Sequence, residues 1–195
     1  MFSGIIAALG RISKAEPRQG GVRIAVSAAR LGLDDVAVGD SIAVNGVCLT
    51  VIAKTPTSFE ADVSGETLNC TVGLDAAGEV NLEKALRLSD RLGGHLVTGH
   101  IDGVGEVTRF HAVGESMLLA VRAPAGLARY IARKGSIAVQ GVSLTVNEVR
   151  GPEFEVNLIP HTVAVTTLRH LKVGAKVNLE IDLMARYVER LTSAS

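Results

Sequence analysis

Residues 41–51 read SIAVNGVCLTV and residues 136–146 read SIAVQGVSLTV, an offset of 95 with nine of eleven positions identical. The same offset pairs Ser3-Gly4 with Thr98-Gly99 and Phe59-Glu60 with Phe154-Glu155. After a two-residue slip, VNLE at 80–83 matches VNLE at 177–180. Solenoid units run to a few dozen residues, so a unit this long, occurring twice, reads as two copies of one small domain fused head to tail. Each copy is large enough to bury its own core. Two positions inside the block differ, Asn45 against Gln140 and Cys48 against Ser143. Pockets built alike but chemically unlike would hold two similar molecules in different roles.

Outward from the block, short alternating or β-branched runs recur between glycines, of which the chain has 21. Such runs are Val22 to Val26, Ile42 to Val44, Cys48 to Ile52, Phe59 to Val63, Met117 to Val121, Ile137 to Val139, Leu144 to Val149 and Phe154 to Leu158. Their spacing of about ten residues predicts an all-β barrel or sandwich rather than an α/β fold. Asn45-Gly46 is a hairpin signal between two apolar runs, and Gln140-Gly141 keeps the glycine. Closure into a barrel removes the edges that aliphatic strands expose. The opening MFSGIIAALGRISK has no basic residue before its apolar run, so it is expected to be a first strand and not a signal peptide.

Two helical pieces are expected. Pro124 suits the first helical position of PAGLARYIARKG, which Gly135 ends. Over 183–193, Met184, Tyr187, Val188 and Leu191 fall at i, i+3, i+4 and i+7, and the resulting apolar stripe needs cover. Its own barrel or the same helix of sister subunits would supply it. The expected division is 1–97, 98–183 and a helical tail over 184–195, with Gly93-Gly94 as the natural break before the second copy.

Composition narrows the function. Hydrophobic residues make up 47% and aromatics 3%, so the cores are aliphatic. Lys+Arg and Asp+Glu both number 20, which with so few aromatics argues against nucleic acid as a partner. Two cysteines and no apolar window of about 18 residues point to a reducing, cytoplasmic setting without a disulfide framework or membrane span. No glycine-rich phosphate loop occurs. His95 and His100 lack Cys or acidic neighbours at ligand spacing, so no metal is expected.

The alternation puts Val47, Leu49 and Val51 on one face of their strand and Cys48 and Thr50 on the other. Ser143 and Thr145 repeat that face in the second copy, a polarity unusual in a barrel core, so the face is expected to touch ligand and Cys48 is a candidate nucleophile. His100, after Gly99, is a candidate acid, base or hydrogen-bond partner, whereas His95 and Cys70 are expected to be structural. Ser41 recurs at Ser136. Asp182 has Ala85 as its twin, an acid present in one copy only.

Taken with the opening MFSGI, GVCLT, GGHLVTGHIDG, GVSLTV, LIPHT and the closing DLMARYVERL, the chain resembles the riboflavin synthase family of α-chain type over its whole length. The resemblance implies two six-stranded Greek-key barrels, a C-terminal helix that drives trimerisation, and a reaction without a cofactor. Two molecules of 6,7-dimethyl-8-ribityllumazine would dismutate to riboflavin and 5-amino-6-ribitylaminouracil, one lumazine in each barrel. The active site would form between the N-barrel of one subunit and the C-barrel of its neighbour, with lumazine synthase as a candidate outer shell. By motif, the N-barrel pocket would use Gly4, Ile5, Ile6, Cys48, Leu49, Thr50, Asp62, Val63, Ser64, Gly65, Glu66 and Thr67. The C-barrel pocket would use Gly99, His100, Ile101, Lys134, Ser143, Leu144, Thr145, Ile159, Pro160, His161, Thr162, Val163 and Ala164.

Main-chain groups of Ile6, Ile101, Thr50 and Thr145 would bond the pteridine edges, and Asp62 or Glu66 and their counterparts the ribityl hydroxyls. Ile159 and Val163 would cover the ring faces. Cys48, Ser41, His100, Asp182 and Phe2 stand at positions the family associates with catalysis, with base and nucleophile left unassigned among them. Ser3 replaces a more usual threonine, and Gly65 stands where some members carry a larger residue. The alternative is a non-catalytic lumazine- or flavin-binding antenna protein of the same fold, which would retain one competent pocket.

Overall fold

Alternation of inward apolar and outward polar residues runs through twelve strands, and the structure, a computed structural model describing residues 1–193, closes them into two barrels. The first contains β1 (Ala8–Arg18), β2 (Gly21–Ser27), β3 (Ser41–Val44), β4 (Val47–Lys54), β5 (Ser58–Ser64) and β6 (Gly78–Lys84), in the closed order β1-β2-β5-β4-β3-β6. The second contains β7 (Gly103–Val113), β8 (Ser116–Arg122), β9 (Ser136–Val139), β10 (Val142–Arg150), β11 (Glu153–Leu158) and β12 (Lys176–Ile181) in the equivalent order. Every pairing is antiparallel. Even the register shifts recur: breaks at Ile12/Lys14 and Val51/Ala53 return at Val107/Arg109 and Val146/Glu148. Bulges of this kind bend a strand enough to turn a sheet into a barrel.

Ile12, Ile24, Phe59 and Leu82 fill the first core; Leu119, Phe154, Leu158 and Leu179 fill the second. Fully burying each such side chain contributes roughly 1.5–3 kcal/mol. A third, smaller cluster of Phe2, Ala43, Val97 and Ala138 joins the halves.

The hairpin turns meet at that junction. Asn45-Gly46 and Gln140-Gly141 both have positive φ, at 48° and 84° and at 51° and 78°, the I′ geometry that matches strand twist. The turns lie back to back, so a Cβ on either glycine would come within 2.7 Å of the other's main-chain nitrogen. Asn45 Oδ1 accepts the Asn81 N–H at 2.9 Å, and Gln140 Oε1 accepts the Asn178 N–H at 3.0 Å. Asn81 Nδ2 then crosses to the Gln140 carbonyl at 2.9 Å, and Asn178 Nδ2 to that of Asn45 at 3.2 Å. The Asn45/Gln140 difference therefore belongs to the joint between the barrels and not to the pockets, a correction to the expectation from sequence.

Two other expectations change. Residues 1–7 are not part of the first strand, which starts at Ala8; Phe2 makes only an isolated bridge to Val97, and Gly4 at φ 76° turns the chain out of extension. After Pro124 the chain forms a 3-10 turn over Ala125–Tyr130 rather than an α-helix to Gly135, matching a shorter 3-10 turn over Ala29–Leu31 in the first half.

Short helices α1 (Gly65–Cys70) and α2 (Pro160–Val165) follow β5 and β11 at twin positions. The last helix, α3 (Leu183–Thr192), is capped by Asp182, whose Oδ1 accepts the Met184 N–H at 3.0 Å. Its stripe of Met184, Tyr187, Val188 and Leu191 is exposed, so the chain's own barrel leaves it uncovered. No helix among the described residues is long and apolar enough to cross a membrane.

Candidate active site

Two short arms, residues 3–6 and 98–101, lead into the barrels, and a buried glutamate anchors each. Glu83 Oε1 accepts the main-chain N–H of Ser3 at 2.7 Å and its hydroxyl at 2.6 Å, while Oε2 accepts the Gly4 N–H at 3.0 Å. Glu180 repeats this with Thr98 at 2.6 and 2.7 Å and Gly99 at 2.9 Å. Burial pushes both carboxyls above the usual range, against the pull of these donors.

From each anchor the arm crosses to the opposite barrel. The Cys48 N–H donates to the Gly99 carbonyl at 2.9 Å, and the Ser143 N–H to the Gly4 carbonyl at 2.8 Å. The approach is so close that a Cβ on Gly99 would stand 2.5 Å from Cys48 Cβ, and one on Gly4 2.6 Å from Ser143 Cβ. Beyond the glycines, Ile101 packs on the core of the first barrel and Ile6 on that of the second.

Two twin sites result. At the first barrel, Cys48 and Thr50 of β4 meet the arm carrying His100 and Ile101. At the second, Ser143 and Thr145 of β10 meet the arm carrying Ile5 and Ile6. The offset of 95 thus pairs His100 with Ile5 as it pairs Cys48 with Ser143. The first site carries a thiol at Cys48 and a histidine at His100 of its arm; the second carries a hydroxyl at Ser143, bonded to the His95 ring, and an isoleucine at Ile5 of its arm.

The lumazine binding domain family matches this chain twice, over residues 3–85 and 98–182. The riboflavin synthase of Photobacterium phosphoreum is 47% identical over 98% of this chain and 88% of its own length. That of Brucella abortus is 42% identical, covering 98% of both chains. The chain belongs to the riboflavin synthase family. Among solved structures, LumP complexed with riboflavin superposes with a TM-score of 0.82 at 26% identity, covering 93% of this chain and 99% of that one. LumP complexed with 6,7-dimethyl-8-(1'-D-ribityl) lumazine superposes with a TM-score of 0.81 at 25% identity and the same coverage.

Within this family frame, the structure regroups the residues singled out from sequence. Gly4 and Ile6 lie against the second barrel, and Gly99 and Ile101 against the first, the reverse of the expected grouping, with Ile5 and His100 between them in the arms. The physical reason is the crossing of the arms. Val63, Leu49 and Leu144 are buried in the cores, leaving their main chain as the part that can face a ligand. Thr50 and Thr145 are exposed, and Cys48 and Ser143 half-buried, as the alternation required.

Around the first site, Ser64 caps α1 by accepting the Thr67 N–H at 3.1 Å. Gly65 and Glu66 open that helix, and Glu66 accepts a bond from Cys70. Asp62 is held in a two-pronged pair with Arg23, at 2.7 and 2.9 Å, and the guanidinium lowers its pKa. Asp62 to Ser64 border, with Arg18 to Arg23, an open groove of about 360 Å³ whose lining includes neither Cys48 nor Thr50. Around the second site, Ile159, Pro160, His161, Thr162 and Val163 form the start of α2. Ile6 and Ala164 border a groove of about 570 Å³ whose other walls come mainly from the first barrel, with Arg11, Arg30 and Glu79, and whose lining includes neither Ser143 nor Thr145. Lys134 holds φ 66° where its twin is Gly39 at φ 99°, a left-handed backbone a lysine rarely adopts.

The remaining candidates divide. Ser41 pairs with Thr50 across β3 and β4, so it borders the first site. Phe2 is fully buried in the cluster between the halves and packs there, which removes its ring from direct contact with a ligand at the surface. Asp182 spends one oxygen on the cap of α3.

Sequence reading missed two participants, Glu83 and Glu180, and placed His95 as the hydrogen-bonded structural histidine it is. His95, expected to be structural, places Nδ1 2.7 Å from Ser143 Oγ, and its buried Nε2 has no hydrogen-bond partner among the described residues. Burial lowers its pKa, against the influence of Asp182, so the ring is neutral near pH 7. Glu83 and Glu180, by contrast, carry no mark of their own in the sequence beyond the repeat. The repeated VNLE was their signal, since its glutamate anchors an arm and its asparagine ties the two turns.

Proposed function

We propose that this chain converts two molecules of 6,7-dimethyl-8-ribityllumazine into riboflavin and 5-amino-6-ribitylaminouracil, as a transferase without a cofactor. The observation that carries this reading is the pair of twin but chemically unequal sites on closed lumazine-binding barrels. One lumazine donates a four-carbon unit and the other accepts it. The atoms of two lumazines equal those of the two products, so no external oxidant or reductant is needed.

The protein's task is placement and proton handling. The 7-methyl protons of the lumazine are acidic because the carbanion delocalises into the ring. A base removes one, and a nucleophile adds at position 7 of the partner ring. Holding two rings face to face lowers such a barrier by roughly 7–11 kcal/mol when the geometry is near-attack. Cys48 and His100 give the first site the groups for nucleophile and base chemistry, with Ser41 at its border. The second site binds with Ser143, Thr145, Ile5, Ile6, Lys134 and the start of α2.

Both grooves are open on a single chain, and the stripe of α3 is bare. We assign α3 to trimer contacts that bring the first barrel of one subunit to the second barrel of its neighbour. Asp182, at the head of α3, acts at that contact. Both cysteines are free, which suits the cytoplasm, where a lumazine synthase shell is a candidate partner. A non-catalytic antenna role has the LumP likeness in its favour, but the greater identity to riboflavin synthases and the presence of Cys48 and His100 favour the enzyme. Purified chain incubated with the lumazine alone is expected to form riboflavin. A protein that binds the lumazine and leaves it unchanged supports the antenna instead.

A further inference from the structure

The geometry points to Glu83 and Glu180 as crossed positioning residues: each sits in one barrel and sets the ligand-facing arm of the other barrel's pocket. This rests on the lumazine reading of the two sites. Glu180 belongs to β12 of the second barrel, yet it holds Thr98 and Gly99, whose carbonyl receives the Cys48 N–H of the first. Glu83 belongs to β6 of the first barrel and holds Ser3 and Gly4, which reach Ser143 of the second.

The anchor extends one step further along each arm. Thr98 Oγ1 donates to Glu180 and accepts the His100 N–H at 3.3 Å; Ser3 Oγ does the same between Glu83 and the Ile5 N–H at 3.2 Å. A carboxylate suits this place because it only accepts, and three donors point at it. A glutamine in the same place turns an NH₂ toward one of those donors, so at least one bond becomes a donor–donor contact. Nothing else is changed in size. Both glutamates are buried and bond to the arms rather than to Cys48 or Ser143, so each acts through its arm.

Three readouts on the full chain test the crossing: amide hydrogen exchange, lumazine-induced shifts of labelled isoleucine methyls, and turnover. Glu180→Gln is expected to reduce protection of the Cys48 N–H about tenfold while leaving Ser143 unchanged, and to diminish the lumazine response of Ile101 but not of Ile6. Glu83→Gln is expected to do the reverse. Both lower kcat by roughly tenfold to a hundredfold, the scale of a small misplacement of reactants. Should either glutamine variant fail to fold, Thr98→Val and Ser3→Ala remove the hydroxyl link of each anchor, keep its two main-chain bonds, and are expected to show the same crossed pattern in weaker form. A variant that disturbs the pocket of its own barrel, both pockets equally, or neither overturns the assignment. Exchange reads the crossing without ligand, so wild-type chain that binds lumazine but makes no riboflavin overturns the enzymatic reading alone.

Discussion

The main-chain N–H of Cys48 and the carbonyl of Gly99, from opposite halves of the chain, meet in a hydrogen bond of 2.9 Å. Ser143 and Gly4 form its twin at 2.8 Å. Neither barrel therefore owns a complete pocket wall. Duplication supplied two cups, and the crossing of the arms makes each depend on the other.

Gly99 is the tightest point of the crossing. Its φ of 82° and its contact with Cys48 leave no room for a side chain. Gly99→Ala is expected to cost about 1–3 kcal/mol in backbone strain and to displace His100 from the first site. Denaturant unfolding with a parallel rate assay checks this; wild-type turnover in the variant contradicts it.

Cys48 and Ser143 are twins in sequence and in geometry, so Cys48→Ser gives the first site the hydroxyl of the second. Turnover is expected to fall by roughly 100-fold or more, the scale of one acid–base or nucleophilic group, with lumazine affinity, read by ligand fluorescence, nearly unchanged. Unchanged turnover removes Cys48 from the chemistry.

His95 gives a pH dependence whose sign follows from its burial. Its pKa in the folded chain is lowered from the ordinary value of about 6.5, so the unfolded chain takes up the proton first as pH falls. The stability it contributes is complete above about pH 6.5 and is lost as pH drops through the lowered folded value. Thermal midpoints from pH 7.5 to 5 are expected to fall more steeply in wild type than in His95→Asn, which keeps a polar atom toward Ser143. Parallel curves contradict a buried neutral imidazole.

The bare stripe of α3 predicts an assembly that charges placed on the stripe disrupt. Leu191→Glu combined with Tyr187→Glu is expected to convert a trimer to monomers in sedimentation velocity and to abolish turnover, while each barrel keeps its far-ultraviolet spectrum. A monomeric wild type, or an active monomeric variant, contradicts the trimer.

What could be read from the sequence was local. Alternation and glycine spacing identify strands such as β4 and β10 because side-chain direction is a nearest-neighbour property, and the 95-residue offset identifies the second copy. The stripe from Met184 to Leu191 identifies α3 for the same reason. The arms were not legible, because Ser3 and Thr98 are tied to Glu83 and Glu180 some 80 residues away, and no periodicity reports a partner at that range. MFSGII looked like a strand since it is apolar, yet the Ser3 and Gly4 donors go to a carboxylate rather than to a neighbouring strand. Asn45 looked like a pocket residue for being different from its twin. Asn and Gln are both able to span the joint, so the difference carries no ligand chemistry there.

The balance of the reaction tests the account most directly. Purified chain supplied with 6,7-dimethyl-8-ribityllumazine and no other reagent is expected to consume two lumazines for each riboflavin and each 5-amino-6-ribitylaminouracil formed, measured by quantitative chromatography. Riboflavin formed at another ratio, or only after a second reagent is added, contradicts a dismutation carried out between the two barrels.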